Sequence, residues 1–151
     1  MPILHLGVID LPYASSPAAK GKRTPKRGSA VTTGDVATFL EDKYHVMEVF
    51  FNQHAPEIGD DLAKSVQGAL ENLLLGAPPQ TDPFGTATSA IEARFQTFID
   101  LKEMDKLGYP GVPTAASIKG IRSRFKKRLD PGRPSFQDSG QYEASFRAWV
   151  D

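Results

Sequence analysis

The stretch Gly132-Arg133-Pro134-Ser135-Phe136-Gln137-Asp138-Ser139-Gly140-Gln141-Tyr142-Glu143-Ala144-Ser145-Phe146-Arg147-Ala148-Trp149-Val150-Asp151 decides the fold class. It holds the only Trp of the chain, two of the nine Phe and one of the four Tyr. A terminus frays unless something ties it down. One this aromatic is expected to be buried, in its own core or in a partner. Asp138 and Ser139 are good helix N-caps, and Gly140 allows a tight turn beside them. Tyr142, Phe146, Trp149 and Val150 fit one face of a helix. The stretch Phe146 to Val150 also alternates. Phe146, Ala148 and Val150 fall on one side, with Arg147 and Trp149 on the other, as in a strand. Our reading is a short helical turn from Ser139, then a terminal strand near 145–150 that packs on its own chain.

A partner for that strand lies at the other end. Residues 3–11, Ile3-Leu4-His5-Leu6-Gly7-Val8-Ile9-Asp10-Leu11, read as a strand of mixed burial, ended by Pro12. Pairing of the two would give a small antiparallel sheet. Between them the pattern is helical. Helix one starts at Thr32 or Thr33, with Asp35 in its first turn. Its apolar stripe is Val36, Phe39, Leu40, Tyr44, Met47, Phe50 and Phe51. Pro56 suits the first turn of helix two. That helix carries Ile58, Leu62, Val66, Leu70, Leu73 and Leu74, and Gly76 stops it. A short joint makes the two an antiparallel hairpin.

A Pro-rich connection leads to helix three, from about Thr88. Ile91, Phe95, Phe98 and Ile99 point inward, with a break near Asp100 and a stop at Gly108. A rigid turn over 109–113 precedes helix four. It is capped by Thr114, with Ile118, Ile121, Phe125 and Leu129 as its stripe. The expected class is α+β, mostly helical, with about four helices and one domain over 1–151.

Net charge is zero, but it is segregated. Lys20, Lys22, Arg23, Lys26 and Arg27 lie in residues 14–30, a Pro/Gly/Ser/Ala/Lys stretch that reads as a flexible basic arm or loop. Lys119, Arg122, Arg124, Lys126, Lys127, Arg128 and Arg133 form a second cluster on and after helix four. The two clusters hold most of the 18 cations. From Asp35 to Lys106 acids outnumber bases. Such a chain presents unlike faces to unlike neighbours. The basic residues are therefore candidates for meeting an acidic neighbour or nucleic-acid phosphates, or for a solvated exterior. With no Cys there is no disulfide framework. No apolar run reaches the ~20 residues of a membrane helix, and the N-terminus carries no signal-peptide pattern.

No motif of catalysis emerges, so we expect no enzyme, no metal and no cofactor. His45 and His54 do not stand at the i, i+4 spacing of a helical metal pair. Glu41, Asp42, Asp60 and Asp61 read as solvated helix faces. The Gly76-Ala77-Pro78-Pro79 loop lacks the Gly-Lys-Ser/Thr of a phosphate loop, and no nucleophile elbow is present.

The pattern Arg133-Pro134-Ser135-Phe136-x-Asp138-Ser139-Gly140-x-Tyr142-x-x-Ser145-Phe146-Arg147-Ala148-Trp149-Val150 resembles the C-terminal signature of a family of tailed-bacteriophage virion proteins. Its Asp138-Ser139-Gly140-x-Tyr142-x-x-Ser145 core is similar to that of neck and tail-completion proteins, which join capsid to tail. Val8-Ile9-Asp10-Leu11-Pro12-Tyr13-Ala14, Gly34-Asp35-Val36-Ala37 and Gly108-Tyr109-Pro110-Gly111-Val112-Pro113-Thr114 look like the same family. The resemblance thus covers most of the chain. It implies a virion protein of the neck or collar, in a homo-oligomeric ring of six- or twelve-fold symmetry. Other neck, portal or tail proteins would be its partners, and DNA would pass through the ring. It also implies a structural role for Pro134, Ser135, Phe136, Asp138, Ser139, Gly140, Tyr142, Ser145, Phe146 and Trp149. The alternative is a small DNA-binding module that uses a basic helix over 119–133.

Overall fold

A computed structural model describes residues 2–13, 31–122, 125–128 and 132–151; over Ile121–Arg122 and Phe125–Arg128 it describes the backbone alone. The expected arm at 14–30 therefore lies outside the described residues. The order is β1 (Leu4–Val8), α1 (Thr33–Tyr44), α2 (Val46–Leu74), α3 (Gly85–Asp100), α4 (Glu103–Lys106), α5 (Ala115–Lys119), β2 (Ile121–Arg122), β3 (Phe125–Arg128), α6 (Gln141–Ser145) and β4 (Phe146–Val150). The class is α+β and mostly helical, with six helices among the described residues rather than four.

The two ends pair as expected. β1 and β4 are antiparallel, with Leu4 opposite Val150, Leu6 opposite Ala148 and Val8 opposite Phe146. The alternation over β4 is that of a strand: Phe146 and Ala148 are buried, whereas Trp149 is exposed. The expectation that the aromatic terminus is buried therefore holds for Phe146 and fails for Trp149. Trp149 lies on the outer face of the sheet, stacked on His5 at 5.3 Å between ring centroids. It leans over Gly7, where a Cβ would lie 3.1 Å from the indole.

α1 starts where the N-terminal segment clamps it. Thr32 and Asp35 form a reciprocal capping box. The buried Thr33 hydroxyl donates to the Ile9 carbonyl (2.6 Å) and accepts from the Leu11 N–H (2.8 Å). The Asp10 carboxylate accepts the Gly34 N–H at 2.9 Å. Bonds from the Thr32 hydroxyl and the Gly34 amide hold the Asp10 carboxyl below its ordinary pKa.

The junction between the first two helices is not where the spacing put it. α1 ends at a single left-handed residue, His45 (φ 53°). α2 then runs 29 residues, with Pro56 inside it rather than at its start. The carboxylate of Glu41 caps α2 from the preceding helix, accepting from Met47 N–H (2.8 Å) and Glu48 N–H (3.1 Å). An interior proline removes a helix bond and crowds the preceding turn. Here Val46, Val49 and Phe50 before it and Ile58 after it all sink into one core, and that burial holds the helix through. The close helix pair is consequently α2 with α3, not α1 with α2. Contacts run in opposite chain directions, Ser65 with Pro83, Asp61 with Arg94 and His54 with Glu103, so this pair is antiparallel.

α3 buries Ile91, Phe95, Phe98 and Ile99, and ends at Leu101 and left-handed Lys102 as its pattern predicts. Phe50, Phe95, Phe98 and Phe146 form the aromatic centre of the core. Phe95 stacks on Phe146 at 3.9 Å, with the planes 13° apart.

Helix four is a correction. α5 spans five residues, capped by the Thr114 hydroxyl, and stops at Gly120 in the left-handed conformation (φ 65°). The chain then turns into the antiparallel β2–β3 hairpin. The spacing of Ile118, Ile121, Phe125 and Leu129 fits a helix, but Gly120 breaks it at no steric cost. Arg122 therefore lies on β2, and Lys126, Lys127 and Arg128 on β3.

Candidate functional site

The resemblance motif folds as a strap that closes the core. The Ser117 hydroxyl donates to the Arg133 carbonyl, and the Ser135 hydroxyl accepts the Thr114 N–H at 3.1 Å. Arg133 was grouped with the exposed cations, yet its side chain is buried. Its guanidinium donates to the Gln137 carbonyl and lies 3.8 Å from Asp138. A buried guanidinium needs such partners. Arg133 is thereby removed from the outward-facing set and holds the strap. Phe136, at φ 69°, packs against Tyr44 at 5.2 Å. Ser135, Tyr142, Ser145 and Phe146 are buried; Pro134, Phe136, Asp138 and Gly140 are half-buried; Ser139 and Trp149 are exposed.

Of the remaining cations, Lys119 is exposed at the end of α5, while Arg122, Lys126, Lys127 and Arg128 share the β2–β3 hairpin. Lys20, Lys22, Arg23, Lys26, Arg27 and Arg124 lie outside the described residues.

Sequence reasoning missed the exposed aliphatic residues at the C-terminal end of α2. Val66, Leu70, Leu73 and Leu74 continue the stripe of Ile58 and Leu62, and were read as core. They are exposed, Leu74 to 78 %, and so is Leu75, to 86 %. The cause is angular. Steps of four residues on a helix of about 3.6 per turn carry the stripe progressively round α2. The face toward α3 is that of Ser65, whose hydroxyl donates to the Pro83 carbonyl at 2.8 Å, and of Gly68, Ala69 and Asn72, which share a cleft with Thr86, Ala87 and Ala90. Val66, Leu70 and Leu74 lie off that face. The run Leu73-Leu74-Leu75 just before Gly76 was the available signal, because three successive leucines on a helix cannot all face one neighbour.

Polar clusters elsewhere serve the fold. Glu41, His45 and Glu48 bring ligand atoms within 4.8 Å of one another. Both Glu41 oxygens already cap α2, and His45 Nδ1 lies 3.2 Å from Glu48. His54 sits between Phe50 and Phe98 with Nε2 3.0 Å from Glu103. Gln137 donates to both Asp100 (2.8 Å) and Glu143 (2.9 Å). Burial raises the Glu143 pKa and the nearby Asp100 charge adds to it, while the Gln137 bond opposes. Burial, with Glu41 and Tyr13 near it, pushes the Tyr142 hydroxyl far above its usual value. A cleft of about 330 Å³ lies between α2 and α3, floored by Gly68, Ala69, Ala87 and Ala90 and rimmed by Asp61 and Lys64. Arg94 ties one side of it to Asp61 at 2.9 Å.

No helix among the described residues is long and apolar enough to cross a membrane. No protein-family model, curated protein or solved structure matches the chain.

Proposed function

We propose that this chain is a structural subunit of a tailed-phage virion, at the head–tail junction, that assembles as a ring between the capsid connector and the tail. The observation that carries assembly is the bare aliphatic end of α2, Val66, Leu70, Leu73, Leu74 and Leu75. Large aliphatic side chains left exposed at one helix end mark an interaction surface. The phage setting rests on the resemblance of the 133–150 motif and of the three shorter stretches. In this reading the strap residues hold the subunit together, and α2 reaches its neighbour. Unlike surfaces meet in a ring contact, which closes only if the rotation does. The segregated charge suits it: α2 carries exposed Glu57, Asp60 and Glu71 against the basic 119–128 stretch. Neck, portal or tail proteins would flank a ring of six or twelve copies, with DNA in its bore.

The test is the mass of the full chain in solution, alone and with virion partners, beside a variant carrying Leu74→Asp and Leu75→Asp. A ring that the double variant loses, at unchanged melting temperature, is the expected result. A chain that stays monomeric in both settings refutes the reading. Salt-sensitive DNA binding by that monomer would put the DNA-binding module in its place.

A further inference from the structure

Among the described residues, the β1–β4 sheet has one closed edge and one open edge. Ile3 and Asp151 exchange both backbone hydrogen bonds (2.9 and 3.2 Å), and Ile9 N–H donates to the Ser145 carbonyl (2.8 Å). In an antiparallel ladder, bonded and non-bonded pairs alternate. His5 and Gly7 therefore face β4 with their N–H and C=O groups, and Leu4, Leu6 and Val8 face away from it. On the far side of β4 those outward groups are partly taken. Ala148 N–H donates to the Glu92 carboxylate at 3.2 Å, and Phe146 N–H to the Glu143 carbonyl. α3 also packs along β4. On the far side of β1, Leu4, Leu6 and Val8 make no hydrogen bond with any described residue. Nor does β1 carry the usual protection of a free edge. Leu4-His5-Leu6-Gly7-Val8 has no Lys, no Pro and no bulge.

We infer that this edge takes the same edge of a second copy, β1 against β1 in antiparallel order, about a two-fold axis at Leu6. Parity narrows the register, and Ile3 and Ile9 choose within it. Among the described residues only the even-numbered positions of β1 have free groups, so they must meet each other. An axis at Leu6 sets Leu4 against the partner's Val8 and Leu6 against its own counterpart, and each pair exchanges two backbone bonds. The same register sets Ile3, 57 % exposed, opposite the partner's Ile9, 44 % exposed. Two bare β-branched side chains thereby become cross-strand neighbours, twice over. Pro2 and Pro12 bound the seam, and the result is a continuous four-stranded sheet. Leu4, Leu6 and Val8 continue one apolar row across the axis. A seam of this length falls short of the about 800 Å² per partner of a standard interface, so the pair forms and dissociates with concentration. It is isologous and closes on itself, unlike a ring contact, and it does not rest on the ring reading.

The test uses the full chain carrying Leu74→Asp and Leu75→Asp, so that the end of α2 does not contribute. Amide exchange is read residue by residue between micromolar and millimolar protein, with mass from sedimentation. The amides of His5 and Gly7 should be slow throughout. Those of Leu4, Leu6 and Val8 should be fast when dilute and at least about tenfold slower when concentrated, as the mass doubles. Ile3→Lys with Ile9→Lys should abolish both changes, and so should Ile3→Glu with Ile9→Glu. Mixing these two variants sets Lys against Glu across the axis and should restore the pair. Even-numbered amides that ignore concentration overturn the inference. So does a doubled mass without their protection, or a Lys variant that pairs as well as its parent.

Discussion

Truncating Phe146 and Trp149 separately tests the register of the terminal strand. Phe146 is 1 % exposed, stacked on Phe95 at 3.9 Å and edge-on to Phe50 at 6.0 Å. Phe146→Ala opens a cavity at the aromatic centre, and such changes cost about 3–5 kcal/mol. That is a large share of a typical margin of about 5–15 kcal/mol. In a domain of this size each kcal/mol moves the melting temperature by about 2–4 °C, so the expected drop is about 6–20 °C. Trp149 is 47 % exposed and touches mainly His5 and Gly7 on the outer face. Trp149→Ala should cost no more than about 1 kcal/mol, since only part of the ring leaves an apolar contact. Urea unfolding followed by far-ultraviolet circular dichroism reads both variants, which matters because Trp149 is the only tryptophan. Equal losses would refute the reasoning. They would put both rings on one buried face, as the competing helical reading of the segment requires.

Pro56→Ala should stabilise the chain. The N–H that proline lacks is restored inside α2, and alanine is favoured over proline there by up to about 3 kcal/mol; a gain of about 1–3 kcal/mol in urea unfolding is expected, and a loss would mean that the ring itself supports the packing. Glu143 gives a pH dependence of defined sign. Its folded pKa is raised above the ordinary 4.5, so its contribution is fully present below that value and is lost as pH rises through the raised one. Melting temperature measured across the mildly acidic range should therefore fall with rising pH in the parent and fall less in the Glu143→Gln variant; parallel curves would remove Glu143 as the cause.

Elements whose signal is local were legible. α3 announces itself through Ile91, Phe95, Phe98 and Ile99, and β4 through alternation from Phe146 to Val150, because each pattern matches the period of its own backbone. The α1–α2 junction was not legible. His45 adopts a left-handed conformation without being glycine, and the α2 cap comes from Glu41, one helix upstream. Pro56 looked like a helix start because that is where proline costs least. In the fold the buried residues on both sides of it decide otherwise. Helix four failed for the opposite reason. Its apolar spacing was helical, but Gly120 sat inside it, and one glycine in the left-handed region outweighs a periodicity carried by three or four residues.

The end of α2 shows why an assembly surface is harder to read than a core. From Ile58 through Leu62 to Val66 and Leu70 the stripe advances in steps of four, and each step carries it further round a helix of about 3.6 residues per turn, until it leaves the face that α3 covers through Ser65, Gly68 and Ala69. Periodicity reports that a helix has an apolar face; it carries no information on whose atoms cover it. Arg133 teaches the same about charge. It sits in a run of cations that reads as surface, yet its partners are the carbonyl of Gln137 and the side chain of Asp138, neither of which a charge count registers. A partner laid along the end of α2 would meet aliphatic side chains, whereas the core of the described residues is centred on Phe50, Phe95, Phe98 and Phe146. An interface there would therefore be a second apolar surface on the same helix, distinct in chemistry from the core that its first half builds.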